Sequence, residues 1–591
     1  MEAEDFFPEG NSRSDSFSHL ALILLIFVLE ASEAFGQNTV VQSGTSLSAT
    51  GGTIIISGTL LNNGNFVNSD DNVFLQGSSA TISGTTPAVF EDLTVATGCI
   101  ASISTPGQRV KGIVLCNGTL NSNGNIILAS SAEGTASIDG RGTGEVTGNV
   151  VMERYLPSFF GYRYISSPFQ AATVGELADD IDLSSSQTLV YRYDENRTIT
   201  GWVSYKAAGN ALLPMNGYAV NFGSSSSPGV FDIAGVVNNS PVTMNLYNHN
   251  YTYTRGYTLV GNPYPSPIDW DASTGWIRTN IDNAIYLFRN STDKQYSGVY
   301  SSYISGVSSD GNASRFIPSM QGFFVHVTDG SFPVTGTLAM NNNVRVTDQA
   351  QPFLKSTGKG VTSLLRLVAN YTENALSSDP LVIYCDHKST LSFDSRYDAL
   401  KLYNTDPEVV SFYSCTENGI KVSINAIPFS DTIPFIRLGI KTSKNGNVSI
   451  AIKDITGLYG CETIYLTDKV SGKTVLLTCG TQFEVYLLAG EYNDRFVINI
   501  PQVATLVDDG ERVAEVFTIR QQDSNLEVDI NELDQTGSLL IITNISGQIL
   551  VNMEISYPGH FDIPAPAKAG VYITSFVSGD KRVSKKLIIR E

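Results

Sequence analysis

The sequence has 591 residues and a formal net charge of −20, and only 16% of its residues are charged although 42% are hydrophobic. At about 150 residues per domain, this length predicts about four domains, and the many Gly, Tyr and Phe residues favour strands joined by tight turns. So negative a chain argues against nucleic acid as a partner, because phosphate binding needs clustered Lys and Arg on a basic domain.

The first predicted element is a signal peptide over residues 1–36. Its apolar run, Leu20–Leu29, is too short to span a bilayer and suits a signal-peptide core. Ala34 and Gly36 have the spacing of a cleavage site before Gln37, although Arg13 is the only fixed cation ahead of the core. No second apolar run of spanning length follows, so we expect export and no transmembrane span.

Residues 37–150 are rich in Gly, Ser, Thr and Asn and are interrupted by short apolar bursts. Two bursts repeat, "GTLLNNGNF" from Gly58 and "GTLNSNGNI" from Gly118. The bursts alternate like strands, and the Asn-Gly pairs supply turn residues. The pattern predicts a β-solenoid, in which each coil buries its apolar face on the next. A region made of hairpins is the alternative.

The next region contains a duplication. "GYRYISSP" from Gly161 matches "GYTLVGNP" from Gly256, and "LVYRYD" matches "AIYLFR" at the same offset; "LPMNGYAV" then answers "IPSMQGFFV", and "FDIAG" answers "FPVTG". We therefore predict two copies of one β-rich unit, residues 151–245 and 246–350. Thr173 and Glu176 have capping-box spacing, which predicts a short helix in the first copy.

Three further segments follow the duplication. Residues 351–502 form a predicted β-sandwich domain, with a hairpin in which two alternating runs flank the turn at Ser471 and Gly472. Residues 503–511 have few apolar side chains and form a predicted linker. A last strand-rich unit covers residues 512–591. The expected fold is thus all-β and multidomain.

The cysteines indicate no metal site, because none of the six forms a CxxC pair. They are Cys99, Cys116, Cys385, Cys415, Cys461 and Cys479. In an exported chain, disulfides Cys99–Cys116 and Cys461–Cys479 are one interpretation, and free buried thiols are the other.

No catalytic constellation stands out, and we predict no catalytic residues, no metal and no cofactor. "SGKT" at 471–474 has Thr467 where a phosphate loop needs Gly, and the histidines lack the HExxH spacing. Asp394 and Asp398 lie close together but in no DxDxDG loop, which favours turn carboxylates over a calcium site.

One cluster suggests sugar binding. Asp269, Trp270 and Trp276 lie in "DWDASTGW", where the two indoles could stack on a sugar ring. Both indoles could equally fill the core of the second copy, and we favour the core interpretation.

The last 80 residues resemble the C-terminal sorting domain of the type IX secretion system of Bacteroidetes. The resemblance rests on "NISG" (Asn544, Gly547), "AGVYITSF" (Gly570, Tyr572) and the closing "KKLIIRE" (Lys585, Lys586). It implies an immunoglobulin-like sandwich that the outer-membrane secretion machinery recognises, after passage through the periplasm. Such a domain is commonly removed after translocation.

Upstream segments such as "GNPYPSPIDWD" look like segments of large surface proteins of the same bacteria. "DTI" around Thr432 also matches the short O-glycosylation motif of that phylum. The main hypothesis is a non-enzymatic secreted or cell-surface protein that acts in adhesion, in matrix or in binding an extracellular glycan or protein. The alternatives are a carbohydrate-binding or carbohydrate-degrading surface protein, and a purely structural spacer.

Overall fold

The computed structural model describes residues 33–69, 72–347, 363–428, 435–456, 464–499, 517–522, 525–530, 538–544, 548–578 and 581–589. The predicted all-β class is confirmed, because the helices of these residues are three 3₁₀ turns, Val174–Leu177, Asn342–Val344 and Thr372–Asn374. The chain divides into two compact units, Met1–Val503 and Ala504–Glu591. The signal-peptide core, Cys461, Thr432, Gly547 and the predicted linker lie outside the described residues.

The first sixteen strands form a β-solenoid of about five turns. They are β1 Glu33–Val41, β2 Ser46–Thr50, β3 Thr53–Asn62, β4 Asn65–Ser69, β5 Asn72–Leu75, β6 Ser79–Gly84, β7 Val89–Phe90, β8 Asp92–Val95, β9 Ile100–Ile103, β10 Gln108–Val110, β11 Ile113–Cys116, β12 Thr119–Asn121, β13 Ile126–Leu128, β14 Ser137–Ile138, β15 Glu145–Thr147 and β16 Asn149–Leu156. Successive turns pair in parallel, for example β5 with β8 and β10 with β13. Parallel pairing confirms the solenoid prediction, since hairpins would pair antiparallel.

The repeated "GTL" motif marks equivalent places in the coil. Its leucines, Leu60 and Leu120, are both fully buried in the solenoid core. Two residues later each copy buries a polar side chain at a corner, Asn62 or Ser122. Asn62 Nδ2 donates to the carbonyl of Thr86 at 3.0 Å, and Ser122 Oγ donates to the carbonyl of Thr147 at 2.7 Å. The corner side chain therefore satisfies backbone carbonyls of the next turn, because buried backbone polar groups require hydrogen-bond partners.

The two copies of the duplicated unit carry the next sixteen strands. They are β17 Tyr162–Ser166, β18 Phe169–Gln170, β19 Val190–Tyr193, β20 Trp202–Ser204, β21 Gly217–Asn221, β22 Gly229–Val237, β23 Val242–Asn248, β24 Tyr257–Gly261, β25 Ile268–Asp269, β26 Trp276–Thr279, β27 Ile285–Asn290, β28 Gly298–Ile304, β29 Val307–Ser308, β30 Phe316–Ile317, β31 Gly322–His326 and β32 Val334–Met340. The matched segments occupy equivalent strands, because the sheet order β17-β21-β19-β20 of the first copy is repeated as β24-β31-β27-β28 in the second.

The copies contact each other reciprocally. Asn216 forms a bridge with Val260, and the equivalent Gln321 forms a bridge with Ile165. In each copy the motif methionine before this contact has a positive φ, 63° at Met215 and 61° at Met320. A pseudo-twofold relation thus explains why "PMNG" and "SMQG" recur in the sequence.

The predicted helix of the first copy is a 3₁₀ turn, Val174–Leu177, and its capping box is not formed. Thr173 makes no side-chain cap bond there. Glu176 instead accepts a hydrogen bond from the backbone amide of Ala234 at 3.2 Å. The carboxylate therefore fixes the turn to β22 rather than closing the helix start.

Eleven strands follow in one mixed sheet of order β41-β40-β43-β38-β36-β37-β34-β33-β39-β42, with β35 paired to β37. They are β33 Leu364–Tyr371, β34 Asp379–Cys385, β35 Ala399–Leu400, β36 Ser411–Cys415, β37 Lys421–Ile427, β38 Ile436–Thr442, β39 Gly446–Thr456, β40 Ile464–Asp468, β41 Lys473–Leu477, β42 Gln482–Leu487 and β43 Gly490–Asn499. Phe483 on β42 lies 6.1 Å from Phe496 on β43, so the sheet folds over a shared core.

The second unit is a two-sheet sandwich with orders β44-β45-β48 and β47-β46-β49-β50. Its strands are β44 Phe517–Gln522, β45 Asn525–Ile530, β46 Ser538–Asn544, β47 Ile549–Ile555, β48 Gly559–Pro564, β49 Gly570–Ser578 and β50 Lys581–Ile589. Phe517 on one sheet packs against Phe576 on the other, with their ring centres 6.0 Å apart. On the last strand, Leu587 and Ile589 are buried while Ile588 between them is exposed, which is the alternation of a half-buried strand.

Candidate functional site

A recess lined by aromatic rings lies where the two copies meet. It has a volume of about 330 Å³, and we call it the aromatic cleft. Its lining residues are Tyr162, Tyr164, Tyr191, Trp202, Ala219, Phe288, Tyr296, Tyr300 and Thr405. Most of these rings are half-buried, so each combines a packed body with an accessible face. Concave, largely apolar recesses of this size are the usual form of a small-ligand site.

The floor of the cleft follows from strand register in the first copy. Tyr164 on β17 lies opposite Ala219 on β21, and Ala219 lies opposite Tyr191 on β19. Cross-strand partners share one face of a sheet, so a methyl group separates two tyrosines there. The small side chain leaves the recess between the rings.

The second copy fills the equivalent position. There Leu259, Phe324 and Tyr286 occupy the same three register places, so a phenylalanine stands where the first copy has Ala219. Phe324 is buried, 5.0 Å from the ring of Tyr193. The duplicated fold therefore does not require a recess, and only the first copy has this small residue.

Ring-to-ring contacts hold the walls in place. Tyr164 stacks on Phe288 of the second copy at 4.7 Å with an interplanar angle of 18°. Trp202 packs edge-on against Tyr193 at 5.0 Å. Such geometries are preferred by aromatic pairs and restrict the side-chain rotamers. The cleft is thus preorganised across both copies.

Three tyrosine hydroxyls of the cleft, those of Tyr162, Tyr164 and Tyr300, are neutral over the ordinary pH range. Burial raises the pKa of Tyr162 and of Tyr300 to about 12, and it raises the pKa of Tyr164 well above its usual range. Neutral phenols both donate and accept hydrogen bonds. The cleft therefore offers apolar faces and a few polar hydroxyls, and its lining includes no carboxylate and no histidine.

A larger recess adjoins the cleft and shares Trp202, Tyr300 and Thr405 with it. It has a volume of about 800 Å³, and we call it the wide basin. Its walls come from the loop 250–255 of the second copy and from the segments 400–405 and 419–421 of the mixed sheet. Thr405 Oγ1 accepts a hydrogen bond from the Gly298 amide at 2.9 Å, which fixes the segment 400–405 to β28.

The basin carries most of the charged groups near the cleft. Lys401 is buried in an ion pair with Asp379, and Lys421 pairs with Glu491 at 2.6 Å. Burial opposes ionisation of Glu491, but hydrogen bonds from Lys421, Tyr403 and Tyr413 outweigh it and lower its pKa to about 2. Both ion pairs are internal to the mixed-sheet region.

The predicted sugar cluster lies in the core of the second copy. Trp270 is fully buried, and its Nε1 donates to the carbonyl of Asn283 at 2.8 Å. Trp276 packs on it at 4.8 Å, and its Nε1 donates to the carbonyl of Asp269 at 2.9 Å. The Asp269 carboxylate pairs with Arg315. A fully buried indole offers no face to a sugar, so this geometry supports the core interpretation.

The predicted Cys99–Cys116 disulfide is absent from the structure. Both thiols are free and buried in neighbouring turns of the solenoid. Burial raises the pKa of Cys116 to about 11 and also raises the pKa of Cys99, and Cys116 Sγ donates to the carbonyl of Glu145 at 3.2 Å. Cys479 is free and exposed, and its predicted partner Cys461 lies outside the described residues.

The residues of the predicted sorting signal lie on the second sheet of the second unit. Asn544 ends β46, where its Oδ1 accepts from the Gln548 amide at 3.0 Å. Gly570 begins β49, and the buried Tyr572 donates its hydroxyl to the carbonyl of Lys568 at 2.7 Å. Lys585 and Lys586 lie on β50, opposite Thr574 and Ile573.

The second unit also groups Glu527, His560 and Asp562, whose ligand atoms lie within 4.8 Å of one another. Two of the three residues are exposed, and Glu527 Oε2 already accepts from Arg520 Nε at 2.5 Å. Glu527 of this surface cluster is already engaged in an ion pair, and we assign no metal to the cluster.

Sequence reasoning missed the cleft, although two features of the sequence point to it. "YRY" occurs twice in the first copy, and alternate residues of a strand share a face, which predicts two tyrosine pairs. The matched "NGYAV" and "QGFFV" also differ by Ala219 against Phe324. The missing information is that β21 lies between β17 and β19.

Comparison with known proteins gives one family. No curated protein matches the chain significantly. A solved structure described as "Biofilm associated protein - BSP domain" is 12% identical, with 74% of this chain and 63% of that chain covered and a TM-score of 0.11. At that TM-score the likeness supports no conclusion. Among the described residues, the helices lack the length and apolar character needed to cross a bilayer.

A family model described as a domain of unknown function, DUF8693, matches residues 62–500. The match begins in the solenoid, covers both copies of the duplicated unit and ends in the mixed sheet, so it includes the whole aromatic cleft and wide basin. It covers more than half of the chain, and this protein therefore belongs to the DUF8693 family.

Proposed function

We propose that this chain is a non-enzymatic secreted or cell-surface protein that binds an extracellular glycan in the aromatic cleft. The observation that carries the proposal is the register of Tyr164, Ala219 and Tyr191, which opens a recess between aromatic rings in the first copy only. Because the second copy fills this position with Phe324, the recess is a feature that the fold can do without.

A sugar ring fits the chemistry of such a recess. One face of a pyranose presents C–H groups, which pack on the electron-rich face of an aromatic ring, while its hydroxyls bond to polar groups at the edge. Tyr300 and Tyr162 supply neutral hydroxyls, and Tyr296 and Thr405 form an exposed rim. The rings are fixed before binding, which lowers the entropy cost of association.

Export and the absence of catalysis belong to the same proposal. The signal-peptide pattern and the resemblance of residues 512–591 to a type IX sorting domain support delivery to the outer surface through the periplasm. The aromatic cleft has no carboxylate in its lining, whereas glycoside hydrolysis needs a pair of them beside the scissile bond. The protein would act in adhesion or in matrix binding.

The test is a glycan array with the purified chain, followed by calorimetric titration of the glycans that bind. We expect binding with 1:1 stoichiometry, and no release of reducing ends on long incubation. Ala219→Phe, which introduces the residue of the second copy, should abolish binding, and Trp202→Ala should weaken it about tenfold or more, as is usual for a central aromatic contact.

Tyr486→Ala is the matched control, since Tyr486 is an exposed aromatic residue on β42 outside both recesses. It should bind like the parent protein. Binding that survives Ala219→Phe would place the ligand elsewhere and overturn the proposed site. Failure to bind any glycan would overturn the glycan function, and cleavage of a bound glycan would overturn its non-enzymatic character.

A further inference from the structure

The wide basin extends the aromatic cleft into a charged region. The two recesses share Trp202, Tyr300 and Thr405, so one ligand longer than a single sugar can occupy both. The lining of the basin includes two cations from different parts of the chain, Arg255 and Lys441. Positive groups at a recess stand out on a chain with a net charge of −20.

Among the described residues, neither Arg255 nor Lys441 forms an ion pair, in contrast to Lys401 and Lys421. Glu491 lies opposite Lys441 in the register of β38 and β43, but its carboxylate pairs with Lys421. The Lys441 ammonium lies 4.3 Å from the ring centre of Tyr403. Arg255 donates its Nε to the carbonyl of Thr252 at 3.1 Å, and its terminal nitrogens make no further bond to the described part of the chain. Asp329 is the one acidic residue in the basin lining, and it accepts a hydrogen bond from Asn248 Nδ2 at 3.0 Å.

The backbone at Arg255 is a second observation, independent of charge. Its φ is 45°, and Asn250 at the start of the same loop has a φ of 57°. A bulky residue in the left-handed region is unfavourable and persists where the surroundings require it. The equivalent residue of the first copy is Phe160, before Gly161, so an arginine here is specific to the loop that borders the basin.

We propose that the ligand of the cleft is an anionic glycan, in which neutral ring faces lie in the aromatic cleft and carboxylate or sulfate groups pair with Arg255 and Lys441 in the wide basin. This inference rests on the proposed glycan binding and adds the charge class of the ligand. Guanidinium and ammonium groups bind both kinds of oxyanion, and Arg adds planar, two-pronged geometry.

The experiment compares each anionic glycan with a neutral form of the same backbone. The carboxylate arm uses oligogalacturonate and its methyl ester, and the sulfate arm uses a sulfated galactan oligosaccharide and its desulfated form. We expect the preferred anionic form to bind about tenfold or more tightly than its neutral partner at low salt, and the difference to shrink in about 0.5 M NaCl because exposed charges are screened. The two arms decide between carboxylate and sulfate.

The variants separate this inference from the proposed function. Arg255→Gln with Lys441→Gln should remove the preference for the anionic form and leave affinity for the neutral form within about twofold, since these two charges contribute only to the anionic complex. Lys111→Gln removes an exposed charge on the solenoid and should change neither affinity. The anionic class is overturned if both forms bind with equal affinity, or if the preference survives the double variant. In either case, binding that is sensitive to Ala219→Phe still upholds glycan recognition. If no form of either test glycan binds, the anionic class is overturned, and the glycan function is overturned with it only if the array also shows no binding.

Discussion

The hydroxyl oxygens of Tyr164 and Tyr300 lie 2.9 Å apart and join β17 of the first copy to β28 of the second. Tyr164 is buried, whereas Tyr300 is half-buried at the border of the cleft and the basin. Both residues also pack on Phe288. This polar contact adds to the backbone bridges between the two copies, and it lies among aromatic rings where we propose that the ligand binds.

Removing one hydroxyl of this pair should cost more stability than removing both. Tyr300→Phe leaves the buried Tyr164 hydroxyl without its partner, which should cost about 1–2 kcal/mol, whereas Tyr164→Phe with Tyr300→Phe leaves no unpaired group. Urea unfolding of the single and double variants measures the coupling. If the double variant loses the sum of the two single losses, the pair is not coupled.

Trp270→Ala should destabilise the protein strongly without changing glycan binding directly. The side chain is fully buried between Trp276 and Phe323, so its removal leaves a cavity that costs about 3–5 kcal/mol. Trp270→Phe keeps much of the volume and should cost less. Thermal unfolding checks the order of the three proteins. Unchanged stability in Trp270→Ala, with loss of glycan binding, would restore the sugar-stacking interpretation.

The solenoid thiols should be present as thiols and protected in the folded protein. Iodoacetamide should label Cys479 in the native state, and it should label Cys99 and Cys116 only after unfolding, because these two are buried and their pKa values are raised. Peptide mass spectrometry identifies the labelled sites. If Cys99 and Cys116 can be labelled in denaturant only after reduction, they form a disulfide.

Asp180 should make the first copy less stable as the pH rises from about 4 to 7. Burial, together with the charges of Asp179 and Asp232, raises its pKa from 3.8 to about 7. The folded state therefore retains a proton that the unfolded state loses in this range, and stability falls until the folded group also ionises. Asp180→Asn should be more stable than the parent at pH 8, by about 1 kcal/mol after allowance for partial exposure, and similar to it near pH 4.

Asp182→Asn is the control for this effect, with the opposite sign. Hydrogen bonds from the Ser184 side chain and amide lower the pKa of Asp182, so its carboxylate favours the folded state once it is ionised. Its replacement should not stabilise the protein at pH 8. Thermal unfolding of both variants between pH 4 and 8 tests the assignment, and a stabilisation of Asp180→Asn that does not depend on pH would contradict it.

Deletion of residues 512–591 should trap the protein in the periplasm. The final strand β50 pairs with β49 along its whole length, and β49 pairs with β46, so the described residues of the predicted sorting signal belong to one folded sheet. The deletion would remove the surface that the secretion machinery is predicted to recognise. Immunoblots of periplasmic, surface and medium fractions from native cells measure the distribution. Normal surface delivery of the truncated chain would refute the sorting prediction.

Patterns that repeat along the chain predicted the fold well. The "GTL" bursts indicated the solenoid because coil positions recur with the same burial, as at Leu60 and Leu120. The hairpin at Gly472 followed from two alternating runs, and the structure pairs Ile464 with Leu477 across it. Local periodicity determines such features, so one sequence is enough to detect them.

The site could not be predicted in the same way, because it depends on contacts between distant segments. Trp270 and Trp276 attracted attention as neighbours in the sequence, yet Trp270 lies in a core and Trp276 packs against it. Tyr164 and Tyr191 are far apart in the sequence, and only the central place of β21 brings them to either side of Ala219. Strand order is a tertiary property, which composition and spacing do not record.

The junction between β16 and β22 has a mechanical consequence. The last coil of the solenoid pairs antiparallel with a strand of the first copy in eight register positions, from Asn149 with Val236 to Leu156 with Gly229. A force that pulled the solenoid along the direction of these strands would load the backbone hydrogen bonds together in shear, rather than opening them one after another. A molecule held between a cell and a bound polymer would therefore resist separation at this seam, and the solenoid and the first copy would move as one stiff segment.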